Sequence, residues 1–337
     1  MRPEHFLLYH DSCLCSHHCN LCWANLVILQ IALRNSNETI RKELQRTQKN
    51  RFLMRYALLL FTLFISLFSN AQELEKSLLW KISGNGLKKP SYLFGTIHLT
   101  CDTSLDANTL NALETTEQLY LELDMDDKSI QMKLMKLMMM KDGAKLSTLL
   151  SPEDFKILDE FMKKNLNMSA KLFDSFKPFM ISSMLFPKML DCKSQSVESE
   201  LMKITKEQNE EIFGLEKAED QMKVFDEISY QDQVDELLKT VKDNLEKDKK
   251  EFNEMMAIYQ NKDIEGMLKM MSDSDNKITS ENQDILLNDR NKKWIPIMIK
   301  TMKDKSTFFG VGAGHLAGEE GVIKLLRKQG FKVEAVK

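Results

Sequence analysis

Two short apolar runs near opposite ends of this 337-residue chain finish in the same way. Ser91–Thr96 (SYLFGT) leads into Gly95-Thr96-Ile97-His98, and Thr307–Val311 (TFFGV) leads into Gly312-Ala313-Gly314-His315, more than 200 residues later. Runs of this length, rich in aromatic and branched residues and bounded by turn residues, read as buried strands. Glycine at a strand end permits a tight turn and a close approach of backbone. In open α/β sheets the C-terminal strand ends line the crevice where ligands bind. The repeated Gly-x-x-His therefore predicts that the two strands share a sheet and present His98 and His315 at one edge.

Further strands are predicted at Leu78–Ser83, Gln118–Leu123, Glu211–Leu215 and Phe331–Val336. The first forms a hairpin with Ser91–Thr96 across Gly84-Asn85-Gly86 and Lys88-Lys89-Pro90. In QLYLEL the leucines 119, 121 and 123 alternate with Tyr120 and Glu122, which puts Glu122 near a strand end on the opposite face. Helices are predicted over 106–117, 129–141, 178–190, 197–209, 218–228, 231–259 and 318–329, with another over 282–302 interrupted by Pro296. Ser151-Pro152-Glu153-Asp154 starts a further helix: a capping serine, proline in the first turn, and acids at the positive end. The methionine-rich stretch 129–141 reads as adaptable core rather than as a substrate groove. The fold class that follows is α/β (α+β): a central mixed β-sheet with helices around it and a mainly helical middle insertion or cap at about 127–303.

The charge distribution sets the first 71 residues apart. They carry 8 Lys/Arg against 4 Asp/Glu, whereas the remainder carries 39 against 46. An acidic body without a basic stripe excludes nucleic acid as the expected partner. Tyr56–Phe68 is an apolar run of 13 residues, short for a membrane span. Met54-Arg55 before it and Ser69-Asn70-Ala71 after it complete the layout of a secretory signal over 54–71, cleaved after Ala71. An uncleaved anchor is the alternative. The expectation is a secreted or periplasmic protein with no stable span after cleavage. Residues 1–53 then read as a spurious or disordered extension, and residues 72–337 as the functional domain. Cys13, Cys15, Cys19 and Cys22, among His10, His17 and His18, are spaced too tightly for two pairs of zinc ligands. Beyond residue 71 only Cys101 and Cys192 remain, and their pairing is left open.

The same stretch contains just two histidines, His98 and His315. Four of the predicted strands end at an ionisable residue: His98, Glu122, Glu216 and His315. Two imidazoles with one or two carboxylates match the donor set of a divalent metal site. Taken singly, each has a plainer reading, His98 as a turn cap and Glu122 as a solvent-facing strand residue. Taken together they point to a site. Against this stands a phosphate loop, because Gly310-x-Gly312-x-Gly314 follows a strand and Glu334 lies 20 residues beyond Gly314. Too few strands follow for a dinucleotide fold, so that reading ranks below the metal site.

Leu93–His98, Leu121-Glu122-Leu123-Asp124, Gly214-Leu215-Glu216 with Gln221, Arg290-Asn291 with Trp294, and Val311-Gly312-Ala313-Gly314-His315-Leu316 with Gly318 resemble the TraB/GumN family. That family includes the Tiki-type membrane metalloproteases, and its fold is related to the erythromycin esterases and the ChaN proteins. The resemblance spans about Leu78 to Lys337. It implies a peptidase-like hydrolase dependent on a divalent metal such as manganese or cobalt, with zinc also compatible with the donor set. Carried over, His98, Glu122 and His315 would be catalytic, and His98, Glu122, His315 and Glu216 would be the metal ligands. Arg290 and Asn291 would meet a peptide or small-molecule substrate, and Gly95, Gly312 and Gly314 would shape the turns. A non-catalytic protein that holds a ligand or metal on the same scaffold is the alternative. Substrate, native metal and oligomeric state are not written in these motifs.

Overall fold

Gly84, Asn85 and Gly86 all take positive φ, and this turn folds β1 (Leu79–Ser83) antiparallel onto β2 (Ser91–Thr96), with Leu79 opposite Phe94. The computed structural model describes residues 73–337 and six isolated helical positions between Arg34 and Gln48. The cysteine–histidine tract, the signal-like run at 56–68 and its cleavage site lie outside the described residues. No helix among the described residues is long and apolar enough to cross a membrane.

After β2, helix α1 (Ala107–Glu114) is capped by Asp106 and returns the chain to β3 (Gln118–Leu121). Helices α2 (Lys128–Leu137), α3 (Leu146–Leu149), α4 (Pro152–Leu166), α5 (Pro178–Leu185) and α6 (Val197–Glu207) then precede β4 (Glu211–Gly214). A second helical run follows: α7 (Ala218–Glu227), α8 (Tyr230–Lys242), α9 (Glu246–Gln260), α10 (Ile264–Asp273), α11 (Lys277–Ser280) and α12 (Asp289–Asp304). Strand β5 (Phe308–Gly312), helix α13 (Val322–Lys328) and β6 (Lys332–Ala335) complete the unit.

The six strands form one mixed sheet in the order β4-β3-β5-β2-β1-β6. Neighbours from β4 to β2 run parallel, and β1 runs antiparallel to both β2 and β6. Strand β5 is inserted between β2 and β3, with Gly312 level with Thr96. The ends of β2, β3, β4 and β5 thus lie along one edge. Two apolar cores support this arrangement. One spreads over the sheet around Trp80, Phe308, Phe309 and Trp294; the other lies within the helical insertion around Leu146, Met162, Ile181, Leu185 and Val234. Inside the insertion, the fully buried ammonium of Lys177 is neutralised by Asp226 at 2.9 Å and donates to the Leu137 and Met222 carbonyls. A buried lysine is tolerated only with such partners.

Three helix expectations change. The region 231–259 is two helices rather than one, broken where Asn244 and Leu245 adopt left-handed φ of 56° and 66°. Leu245 is buried in the insertion core, so packing outweighs the local backbone cost there. At Pro296 the opposite happens: α12 continues through it, because Trp294, Ile295, Met298 and Met302 all drive one face into the sheet core. The final helix starts at Val322, not 318, since Gly318 has a φ of +87°. The methionine-rich stretch 129–141 leaves the helix after Leu137 and is only partly core. Ile130 and Met140 are buried, while Met135 is 59% exposed.

Candidate active site

Alternation along β3 buries Leu119 and Leu121 and sends Glu122, just past the strand, the other way. It does not face solvent. Because β5 lies alongside β3, the Glu122 carboxylate meets Gly312, whose backbone N–H donates to Oε1 at 2.9 Å. A β-carbon at 312 would stand 3.3 Å from that oxygen and 3.6 Å from His315 Cδ2. Glycine here makes room for a carboxylate and an imidazole, and its amide is already committed, which removes the cradle the phosphate-loop reading needs. On the neighbouring β2, a β-carbon at Gly95 would fall 2.8 Å from Leu316 Cδ1, so the turn carrying His315 packs directly on this backbone.

Beyond β4, the Glu216 N–H donates to the Glu122 carbonyl at 3.0 Å and brings the second carboxylate alongside. Arg290 reaches both from α12, which is entered through a π-helical turn at Asp284–Asn288. Its Nη2 donates to Glu122 Oε2 at 2.6 Å and to Glu216 Oε1 at 2.5 Å, and its Nε also donates to Glu216. Its Nη1 donates to the Leu286 carbonyl at 3.0 Å. Gln221 donates to both carboxylates at 3.1 Å, Trp294 Nε1 donates to Glu216 at 3.3 Å, and the guanidinium lies 4.9 Å from the Trp294 ring centre. Burial opposes ionisation of Glu122, but the adjacent Arg290 holds its carboxyl well below the usual carboxylate range.

His315 is buried against Trp294, with ring centres 4.5 Å apart. Its Nε2 lies 3.1 Å from Arg290 Nη1 and its Nδ1 lies 2.7 Å from Asn291 Oδ1. A guanidinium has only protons to give, so Nε2 accepts and the ring proton sits on Nδ1. Burial, with Arg290 adding to it, pulls the His315 pKa down to about 3 against the attraction of Glu122. Arg290 and Asn291, expected at a substrate, are turned inward: the first onto the carboxylates, the second onto His315 and the Glu320 carbonyl.

His98 differs. Its side chain is 70% exposed, and Nδ1 lies 2.7 Å from Glu198 Oε1. That carboxylate raises the imidazole pKa to about 9, with desolvation by the surrounding protein opposing. His98 and Glu122 are near enough to interact electrostatically. Strand geometry therefore brings all four expected residues to one edge, but in two groups. Glu122, Glu216 and His315 form a buried cluster about Arg290, and His98, just past β2 on the same edge, pairs with Glu198.

Among the described residues, no three or more His, Cys, Asp or Glu side chains are arranged to hold a metal ion. The physical reason is Arg290. Its guanidinium takes the central position a cation would need, occupying Glu122 Oε2, Glu216 and the lone pair of His315 Nε2. As arranged, the buried set fits a guanidinium rather than a divalent ion. Two residues at this edge escaped the sequence reading. Glu198 sits in the first turn of α6 after its cap Ser196, where an acid needs no other explanation than the helix dipole. Tyr259 donates to the Gly95 carbonyl at 3.0 Å from within a charged amphipathic helix and carries no motif.

A mixed sheet with a helical insertion, whose parallel strand ends gather a carboxylate–arginine–histidine network, defines the class to which this chain belongs. It is a member of the TraB/PrgY/gumN family, whose family model matches residues 78–335. Among curated relatives it is similar to a metalloprotease TIKI homolog of Nematostella vectensis, 22% identical over 327 residues, covering 80% of this chain and 69% of the relative. A shorter stretch of 47 residues is 45% identical to metalloprotease TIKI2 of Xenopus tropicalis, 14% of this chain and 9% of that protein. No solved structure matches.

Proposed function

We propose that this is an exported hydrolase of amide or ester bonds, peptidase-like in substrate, with His98 as its proton-transfer residue. One observation carries the reading: His98 is the exposed imidazole, carboxylate-paired, on the strand edge that also holds a buried charged network. With its pKa raised to about 9, His98 is protonated at neutral pH and enters the reaction as a general acid, delivering a proton to the leaving group. The network on that edge fixes the β5 turn and supplies a rigid, low-dielectric environment of set charge. The curated relatives are named metalloproteases, which supports the hydrolase class. Manganese, cobalt or zinc does not fit the buried set around Arg290, so no step here is routed through a metal. The mutual satisfaction of Glu122, Glu216, Arg290 and His315 favours a second reading, a protein that holds a ligand on this scaffold without turning it over.

A quenched fluorescent peptide library and a p-nitrophenyl ester series separate the two. His98→Ala is expected to lower turnover by about 10²- to 10⁴-fold. Wild-type activity should decline as pH rises through about 9, where the imidazolium loses its proton. Turnover that survives His98→Ala would remove the hydrolase assignment from this residue.

A further inference from the structure

The turn that carries His98 leaves its ring largely in solvent, and the described contact that orients it is Glu198. Glu198 is unusual for an acid in the first turn of a helix, because its side chain is only 12% exposed. A residue that merely complements the helix dipole has no reason to be buried. Its two oxygens have separate duties. Oε2 accepts from the hydroxyl of Ser196, the α6 cap, at 2.7 Å. Oε1 is buried, makes no well-aligned hydrogen bond within the protein, and lies 2.7 Å from His98 Nδ1. A buried carboxylate oxygen without an aligned donor is costly, and a modest turn of the His98 ring would supply one, so its placement beside His98 calls for an explanation.

The start of α6 is held against the His98 turn by several independent ties. Val197 N–H donates to the Ile97 carbonyl at 3.3 Å, and Thr100 and Gln195 exchange backbone hydrogen bonds at 3.0 and 2.9 Å. Gln195 Nε2 donates to the Cys101 carbonyl at 2.9 Å. Across the same junction runs a disulfide, Cys101–Cys192, with Cα atoms 5.8 Å apart and a separation of 91 positions in sequence. Every one of these ties falls within a few residues of His98 on one side and Glu198 on the other. A segment as long as this insertion would otherwise leave the relative position of the two side chains to weak surface hydrogen bonds.

We propose that Glu198 is a positioning residue for His98, keeping a proton on Nδ1 and Nε2 as the reacting nitrogen, and that the Cys101–Cys192 disulfide clamps this pair in register. The clamp acts on the site through Glu198, not on the fold as a whole. The proposal rests on His98 being the reacting group, yet its central geometric claim is measurable without turnover.

The full-length protein, labelled with 15N-histidine, gives the test. A downfield Nδ1 proton resonance, assigned to His98 by its loss in His98→Asn, is expected in the wild type and absent in Glu198→Gln. The kcat of Glu198→Gln on the peptide library should fall about 10- to 100-fold, the usual cost of removing a partner that orients a histidine, with KM changed less than about twofold. The double variant Cys101→Ser/Cys192→Ser, or wild-type protein reduced with dithiothreitol, should broaden that resonance and lower kcat in the same direction while circular dichroism stays unchanged. These reduced forms decide the matter if Glu198→Gln does not fold. An unchanged resonance and kcat in Glu198→Gln would overturn the positioning role, and the same result in the disulfide-free forms would overturn the clamp. Loss of the resonance in a protein whose wild type turns over no substrate would sustain the positioning claim and count against the hydrolase reading alone.

Discussion

Arg290 holds Glu122 at 2.6 Å with the same terminal nitrogen that holds Glu216 at 2.5 Å. One positive group thus pairs with two buried carboxylates that arrive from different strand ends. Removing one partner of a buried ion pair typically costs about 3–5 kcal/mol, because the other charge is left unpaired. Arg290→Met should lose stability of that order in urea unfolding. Adding Glu216→Gln to it should restore part of the loss, since one of the two stranded charges is then gone.

The two histidines beyond residue 71 should give opposite slopes of stability against pH. His98 has its folded pKa raised from 6.5 to about 9, so its contribution is complete below pH 6.5 and is lost as pH rises through about 9. For His315 the folded pKa is depressed to about 3. The unfolded chain takes up a proton below pH 6.5 that the folded chain refuses, and stability falls as pH drops from 6.5 toward 3. Urea midpoints across pH 4–9 for wild type, His98→Gln and His315→Gln should show each variant losing one limb of the curve.

Gly312→Ala is expected to destabilise although its φ is ordinary for any residue. The new methyl would press on Glu122 Oε1 at 3.3 Å, and that carboxylate is pinned by Arg290, Gln221 and the Gly312 amide. Overpacking a rigid site costs about 1–3 kcal/mol. Thermal melting should fall accordingly, and Gly314→Ala, where the neighbour is the flexible Met271 sulfur, should cost less.

Because a guanidinium already sits among the buried carboxylates, manganese, cobalt or zinc should leave the melting temperature of chelator-dialysed wild-type protein unchanged. Arg290→Met frees Glu122, Glu216 and His315 together, and this variant should be stabilised by the same ions. Metal-dependent stabilisation of the wild type that disappears in Glu122→Gln would contradict the arrangement described for Arg290.

The strand ends were legible from sequence because buried strands and Gly-x-x-His turns are local signals, and parallel strand ends converge for general reasons. The sheet class and the proximity of Glu122, Glu216 and His315 follow from them. The partners of those residues were not legible. Whether Arg290 meets a substrate or two carboxylates depends on the angle at which α12 crosses the strand ends, which no spacing encodes. Glu198 was hidden by its own plausibility as a helix-starting acid. The break at Leu245 and the continuity at Pro296 were missed for one reason, that tertiary burial overrode local propensity in opposite directions.

The place of β5 in the sheet has a consequence for the order of assembly. It is the fifth strand made, yet it lies between the second and third, so β1–β2 and β3–β4 emerge from the ribosome as halves with open parallel edges and no central member. Non-local pairings of this kind are slow to form. Glu122 is synthesised before Glu216, Arg290 and His315, and waits for all of them. The charged network cannot close before Arg290 and β5 have been made, and Glu122 and Glu216 stay without their cation until then.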